Sequence, residues 1–467
     1  MQDTQLFALL RSLNPKELRE LGKFLRSPFF NKREDVVRMF EFLLPRLHKE
    51  RFAWKREEVY AKVYPKAVFK PQAFRQLSSW LQQLIEQYLA YQTIFGDGPE
   101  VKIRLAEVFR QRDLSRHFQK AIRYAEDRLE KVPLRNADYY QQRFELENEK
   151  YIASSTRRMT PHNFQSISDN LDLSFIIKKL QQVCLIVAHQ TVYKIEYELG
   201  LFKSVLAYIE EKGLEQNATV ATYLSCYEAL TQEDGEPYFY QFKELLVSHG
   251  SRFSQDEQRN LYLLAVNFCI RRLNEGAMKF AKEGLELYKN ALALEVLLLN
   301  GILSRFTFRN IVAMGLKVRE YDWVEYFIER YQNNLEAEFK ESTYALSMAT
   351  LEYSRQRLGQ ALALLQRADY EDLLMNLSAK TLAAKIYFEL DEALLLDSHL
   401  QTMQIFIRRK KLLGYHRKNY LNFIRYLSKI LKLWPAQKDK LGKLADAIRQ
   451  EEVLTEKAWF LQLLQAL

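Results

Sequence analysis

Residues 261–288 read LYLLAVNFCIRRLNEGAMKFAKEGLELY. Two apolar segments flank the polar corner NEGA, and Ala277, Ala281 and Gly284 place small residues in and after it. The two helices of a hairpin approach closely only where small residues lie at the crossing of their backbones. The stretch therefore predicts a helical hairpin whose second helix packs through these small residues.

The same pattern recurs along the chain. Residues 344–368, YALSMATLEYSRQRLGQALALLQRA, form a second copy with its corner at Gly359 and small residues at Ala361 and Ala368. Weaker copies are Ala121 with Ala125, Val324 with Ile328, and Ala393 with Leu396. Successive copies from the first quoted hairpin onward lie 47, 37 and 32 residues apart. Such a period is typical of an α-solenoid, in which each hairpin covers an apolar face of its neighbour.

Glycine and proline are scarce throughout. The 467 residues include 14 Gly and 10 Pro, and no proline occurs between Pro237 and Pro435. These counts are about half the usual share or less. A sheet protein of this size needs many tight turns, which depend on both residue types. The composition therefore predicts an all-α fold, specifically a right-handed α-α superhelix with an N-terminal helical module.

Both quoted hairpins resemble tetratricopeptide repeats. The small residues Ala277, Ala281 and Gly284, and in the second hairpin Ala361 and Ala368, match that family's small positions. The family's Trp and Leu-Gly signature and its closing proline are missing, and the period drifts. The resemblance implies a scaffold whose concave surface grips peptides or partner proteins, and it implies no chemistry.

A cluster of helix-breaking residues, FGDGPE at 95–100, marks the first predicted domain boundary. We predict a basic helical module at 1–95, a tetratricopeptide-like array of helical hairpins at 100–400, and basic C-terminal helices at 401–467. Residues 13–43, LNPKELRELGKFLRSPFFNKREDVVRMFEFL, resemble the start of uncharacterised bacterial proteins of similar length, and this resemblance implies no function.

The N-terminal module shows clear helix signals. Asn14, Pro15 and Glu17 predict a capped helix start. A short helix is expected at 56–63 and a long one at about 72–93, whose apolar residues recur mostly every three or four positions.

Several classes of protein are not supported. The N-terminus lacks the basic and apolar segments of a signal peptide. The longest apolar stretch, 291–303, is broken by Glu295 and Asn300 and is too short to cross a bilayer. We therefore expect a cytoplasmic protein without a membrane span.

Motifs for catalysis or cofactor binding are absent from the sequence. It contains no glycine-rich phosphate loop, zinc-protease motif or nucleophile elbow. The cysteines Cys184, Cys226 and Cys269 fit no metal-binding spacing and lie in apolar helical runs. We predict a non-enzymatic protein with no catalytic residues, cofactor or metal, although a site assembled only in three dimensions would escape this reasoning.

The strongest charge feature lies near the C-terminus, where residues 401–450 hold thirteen Lys and Arg residues against two Asp. A candidate face for anions or a partner comprises Arg408, Arg409, Lys410, Lys411, Lys418, Arg425, Lys429 and Lys432. A row of cations at helical spacing suits phosphates or an acidic protein face. The alternative is the solvated side of an amphipathic helix.

A second basic patch precedes and enters the long N-terminal helix. It comprises Lys55, Arg56, Lys62, Lys66, Lys70 and Arg75. Residues 56–89 faintly resemble the helical part of a winged-helix module, but no strand–turn–strand pattern follows to form a wing. The patch either contributes to DNA reading or is a solvated surface.

These observations favour one function and leave a second open. The first is a scaffold that binds a protein or peptide in the concave face of the helical array. The alternative is a nucleic-acid-associated, possibly regulatory, protein that uses the basic N- and C-terminal helices.

Overall fold

The computed structural model describes residues 5–47, 55–95, 98–154, 163–409, 414–433 and 438–466. About 80% of these described residues are helical. Within the described ranges no strand occurs, and the one isolated bridge joins Leu299 and Ile302. The all-α prediction is confirmed, and successive helices pack in neighbouring pairs in a solenoid-like manner.

The chain forms two compact units. Unit 1 is Met1–Phe175 and unit 2 is Ile176–Leu467, so the boundary falls within one long helix, Phe164–Tyr193. The division into parts at 95 and 400 stays a prediction.

The helices that begin in unit 1 are α1 (Gln5–Ser12), α2 (Pro15–Arg26), α3 (Glu34–Leu43), α4 (Arg56–Val63), α5 (Pro71–Ile94), α6 (Pro99–Gln111), α7 (Ser115–Lys131), α8 (Ala137–Ser154) and α9 (Phe164–Tyr193). A 3-10 turn, Leu44–Arg46, follows α3.

Unit 2 continues with α10 (Phe202–Lys212), α11 (Ala218–Thr231), α12 (Glu236–His249), α13 (Gln255–Asn274), α14 (Lys279–Ala293), α15 (Arg305–Lys317), α16 (Tyr321–Tyr331), α17 (Lys340–Ser354), α18 (Leu358–Gln366), α19 (Leu373–Glu389), α20 (Ala393–Arg409), α21 (Gly414–Leu433), α22 (Lys438–Gln450) and α23 (Lys457–Ala466). Short 3-10 turns lie at Leu214–Gln216, Gly250–Arg252 and Gln332–Asn334.

The helix signals of the N-terminal module are confirmed. Asn14 Oδ1 accepts hydrogen bonds from the backbone N–H groups of Lys16 at 2.9 Å and Glu17 at 3.0 Å. Glu17 Oε2 in turn accepts from the Asn14 N–H at 2.7 Å. This reciprocal capping box satisfies N–H groups that a helix start leaves unpaired. The expected helix at 56–63 is α4, and the long helix is α5.

Consecutive helices of unit 2 pack in pairs. Consecutive helices pair as α11 with α12, α13 with α14, α15 with α16, α17 with α18 and α19 with α20. The first helices of the pairs also contact one another, α11 with α13, α15 with α17, and α17 with α19. From α15 to α19 the first helix of each pair therefore contacts the first helix of the next pair, whereas α15 contacts α14, the second helix of the preceding pair.

Six helix ends share a single corner geometry, a Schellman motif with one residue in the left-handed region. At the end of α17, Gln356 has φ +62°, its N–H donates to Tyr353 O at 3.0 Å, and the Arg357 N–H donates to Glu352 O at 2.9 Å. The left-handed residues of the six corners are Asp113, Gly276, Glu295, Arg319, Gln356 and Asp391. Five of the six are not glycine, although a side chain in this conformation costs about 1–2 kcal/mol.

One predicted corner is misplaced. Gly276 is a corner residue, with φ +98°, but Gly359 lies inside α18 without a left-handed conformation. The turn instead occurs at Gln356, three residues earlier. A glycine was expected at the corner because it adopts positive φ without steric cost. The corner residue is instead Gln356.

Small residues lie where helices approach closely. At Gly284, however, the closest neighbour belongs to the next helix pair, whereas the hairpin pattern predicts a contact within its own hairpin. A Cβ added to Gly284 of α14 would lie 2.6 Å from Met314 Sδ of α15. A Cβ on Gly315 of α15 would clash with Val324 Cγ2 of α16. Ala361 is likewise fully buried in α18. Ala393, in contrast, is exposed at the start of α20, where Leu396 is the buried residue.

Aromatic side chains fill the spaces between helices. Phe239 of α12 stacks on Phe268 of α13 at 4.6 Å between ring centroids, and Phe280 of α14 meets both rings edge-on. All three are buried. The three cysteines are free and buried, and serve as small core residues as predicted.

Candidate functional site

The C-terminal basic stripe borders a cleft between α20 and α21. The cleft has a volume of about 500 Å³. Its cationic lining residues are Arg408 of α20 and Arg417, Arg425, Lys429 and Lys432 of α21, all exposed. Four of these five belong to the predicted face. In α21 the cations recur mostly at helical spacing, so one side of this helix carries most of the charge.

Only one of the five cations has a carboxylate partner among the described residues. Arg425 Nη2 lies 2.8 Å from Glu451 Oε2, and its guanidinium lies 4.6 Å from the centre of the Tyr426 ring. Within the same part of the chain, no carboxylate oxygen lies within 4.0 Å of the other four. No acidic residue lines the cleft. The cleft is therefore a site of concentrated and largely uncompensated positive charge.

The remaining members of the predicted face do not line the cleft. Arg409 and Lys418 are exposed outside it. Lys410 and Lys411 lie outside the described residues. Sequence reasoning missed Arg417, although it lies eight residues before Arg425, a separation that returns to the same helix face.

The N-terminal basic patch is spread over three elements of unit 1. Lys55, Arg56 and Lys62 lie at the start of α4 and within it, Lys66 lies in the following loop, and Lys70 and Arg75 lie at the start of α5 and within it. All six are exposed. Of these six, Arg75 borders a cavity on α5 that Trp80 also lines. No described strand follows α5, and α6 comes next.

A second cavity, which the sequence did not reveal, lies along the first helices of the pairs in unit 2. This inner groove has a volume of about 1550 Å³. Most of its lining comes from five helices, α15, α17, α19, α21 and α23, and Leu358 at the start of α18 also lines it. Three left-handed corner residues, Arg319, Gln356 and Asp391, also line it. Backbone strain of this kind often clusters at binding sites.

Lys385 of α19 is the most fully engaged cation of the inner groove. Its ammonium lies 2.7 Å from Glu456 Oε2. It also lies 4.7 Å from the centre of the Tyr353 ring and 5.4 Å from that of Trp459. Because the Lys385 side chain is buried, the carboxylate and the two ring faces compensate the loss of water around its charge.

Glu389 joins three helices at the groove wall. Its Oε1 accepts a hydrogen bond from the Tyr353 hydroxyl of α17 and one from Trp459 Nε1 of α23 at 3.0 Å. Burial raises the pKa of the Tyr353 hydroxyl, and the hydrogen bond to Glu389 raises it further. The phenol therefore stays protonated and acts as a donor at neutral pH.

Arg309 of α15 differs from Lys385 because it has no carboxylate partner among the described residues. Its Nη2 donates to Ser378 Oγ at 3.1 Å, and the Tyr420 hydroxyl also hydrogen-bonds with Ser378. Burial lowers the pKa of the Arg309 guanidinium. Among the described residues no carboxylate oxygen lies within 4.0 Å of it, because Asp372 pairs with Arg305 at 3.3 Å instead.

Sequence periodicity carried no signal for this groove. Arg309, Tyr353, Lys385 and Trp459 each lie on a different helix, separated by 32 to 74 residues. Each one alone is indistinguishable from an ordinary helical residue. Their convergence depends on how the helix pairs stack.

The described residues contain no metal site or membrane-spanning candidate. Nowhere in them do three or more His, Cys, Asp or Glu side chains gather as metal ligands would. None of their helices combines the length and the apolar character that crossing a bilayer requires.

Comparison of the chain with protein-family models, with curated proteins and with solved structures finds no match. The resemblance to tetratricopeptide repeats therefore rests on the quoted residues, and the function must be argued from the inner groove and the basic cleft.

Proposed function

We propose that this protein is a cytoplasmic, non-enzymatic scaffold of tetratricopeptide-like helical hairpins. Its inner groove binds a peptide segment of a partner protein. The three buried, unpaired cysteines fit a reducing compartment.

The size and lining of the inner groove carry this proposal. Pockets for small molecules typically measure about 300–1000 Å³, whereas the groove measures about 1550 Å³. Tyr353 and Trp459 supply the aromatic surface that protein interfaces favour. A groove that is long, partly aromatic and lined by polar groups suits a peptide better than a compact metabolite.

Two features of the groove indicate what the peptide contacts. Arg309 retains donors with no carboxylate partner among the described residues, so a carboxylate of the partner is its natural complement. At the rim, Arg319 and Gln356 hold long polar side chains in a conformation that glycine would adopt at lower cost. We infer that these side chains contact the partner.

The test is site-specific photo-crosslinking of the full-length protein in native extract. A photoreactive residue replaces Asn310, which is exposed in the groove, or Gln360, which is exposed on α18 outside it. We expect discrete protein adducts from position 310 only. They should become weaker when Arg309→Met is added, because the guanidinium is lost while the length of the side chain is roughly kept.

Two results would overturn the proposal. One is the absence of adducts at position 310. The other is an identical set of adducts at positions 310 and 360, which would show that the groove is not the contact surface. Thermal unfolding of the Arg309→Met variant checks that it remains folded.

A further inference from the structure

The basic cleft between α20 and α21 has a ligand chemistry different from that of the inner groove. Arg408, Arg417, Lys429 and Lys432 line one cavity of about 500 Å³, and none of them has a carboxylate partner among the described residues, whereas Arg425 pairs with Glu451. Lys429 Nζ lies 6.0 Å from the centre of the Tyr426 ring. Like charges so close together repel one another in the free protein. An anion that bridges them would remove this repulsion.

The types of cation suit oxyanion ligands, and the length of their row favours a phosphate backbone. Three of the five cations are arginines, whose planar guanidinium can donate two parallel hydrogen bonds to phosphate oxygens. In α21 the row from Arg417 to Lys432 spans sixteen residues, about 22 Å along the helix axis. This length suits several successive phosphates better than a single small anion.

The cleft offers little for reading bases. Its apolar members, Leu421 and Ile424, are partly or fully buried, and the nearby Tyr426 is also buried. Asn422 is buried as well, and its Nδ2 donates to Val453 O at 2.8 Å. Among the described residues, no exposed aromatic ring on which a base could stack lines the cleft. Most of the exposed lining is therefore cationic, with Gln404 and Ser428 as its uncharged polar members.

We propose that this cleft binds the phosphate backbone of a nucleic acid strand without sequence preference. Arg408, Arg417, Lys429 and Lys432 supply the contacts. Arg425 is held by Glu451 and contributes less. This interaction is independent of peptide binding in the inner groove.

The experiment measures fluorescence anisotropy of a labelled 20-nucleotide single-stranded DNA of mixed sequence with the full-length protein. We expect log affinity to fall linearly with log salt concentration, with a slope of about −3 for four neutralised phosphates of a single strand. The triple variant Arg417→Glu, Lys429→Glu and Lys432→Glu should lose at least about tenfold in affinity at low salt and bring the slope to about −1 or less.

Three controls test where the DNA binds and which chemical groups of the ligand the protein contacts. The variant Lys62→Glu, Lys66→Glu and Lys70→Glu changes an equal number of exposed cations in unit 1 and should leave binding largely intact. Oligo-dA and oligo-dT should bind equally. Poly-glutamate of equal charge should bind at least about tenfold more weakly if the cleft is matched to the spacing of a phosphate backbone.

The proposal fails if the DNA does not bind, or if the triple cleft variant binds as the wild type does. Equal binding of poly-glutamate would instead assign the cleft to an acidic protein. A marked base preference would show that contacts beyond the charge row carry the binding. Circular dichroism of the triple variant confirms that it is folded, since all three substituted side chains are exposed.

Discussion

The inner groove and the basic cleft lie in the same unit and share α21, yet they are built in different ways. The groove collects residues from five helices, and its main charged group, Lys385, is buried and paired. Most of the cleft charge comes from one helix and remains exposed. A site on one helix follows from local periodicity, whereas a site between helix pairs depends on packing. Substitutions that change the packing of helix pairs should therefore affect binding in the groove and leave binding in the cleft unchanged.

The largest effect is expected from Gly315→Ala. The new Cβ would clash with the buried Val324 side chain, and overpacking of this kind costs about 1–3 kcal/mol. Because α15 carries Arg309, its displacement should also weaken groove crosslinking while DNA binding at the cleft stays unchanged. Chemical denaturation measures the loss in the free energy of unfolding.

Gly359→Ala is the matched control for this change. Gly359 is also helical, but nothing lies within 4 Å of an added Cβ. It should stabilise the protein by about 0.5–1 kcal/mol through helix propensity. If both variants shift stability in the same direction, close packing at Gly315 is not what positions α15.

A smaller effect is expected when the ion pair of each site is broken, and the loss in the free energy of unfolding should differ between the two sites. Lys385→Met removes a cation from a buried position and leaves Glu456, Tyr353 and Trp459 without it, so we expect a loss of about 1–2 kcal/mol. Arg425→Met removes a cation whose side chain is 49% exposed, which should cost less than about 1 kcal/mol. Equal losses in urea unfolding would contradict the contrast between the sites.

The smallest effect concerns the strained corners at the groove rim. Gln356→Gly relieves the left-handed strain and should raise the free energy of unfolding by about 0.5–1 kcal/mol. It should also weaken groove crosslinking, because the Gln356 side chain lines the groove.

Asp113→Gly relieves the same strain in unit 1, at the corner after α6. It should give a similar gain in stability with no change in crosslinking. If Gln356→Gly stabilises the protein and leaves crosslinking unchanged, the rim side chain does not contact the partner.

The sequence predicted the helices and much of the cleft, but not the groove. Asn14 and Glu17 identified the start of α2 because capping depends on residues within one turn. Charges at steps of three and four identified most of the α21 row, and the register chosen missed only Arg417 among its cleft-lining cations. Gly359 was assigned to a corner because glycine is the usual left-handed residue. At five of the six corners, however, a residue other than glycine adopts that conformation.

The sequence by itself determined that this chain is helical, that small residues such as Gly284 permit close crossings, and that one C-terminal helix carries a row of cations. These features depend on neighbours within a few residues, and the helical period makes them visible. The tertiary structure, through the stacking of helix pairs, decides that no carboxylate oxygen of the described residues lies within 4.0 Å of Arg309, that Glu456 compensates Lys385, and that most of the groove lining comes from five helices. These properties depend on which distant residues meet when helix pairs stack, and a one-dimensional pattern does not contain that information.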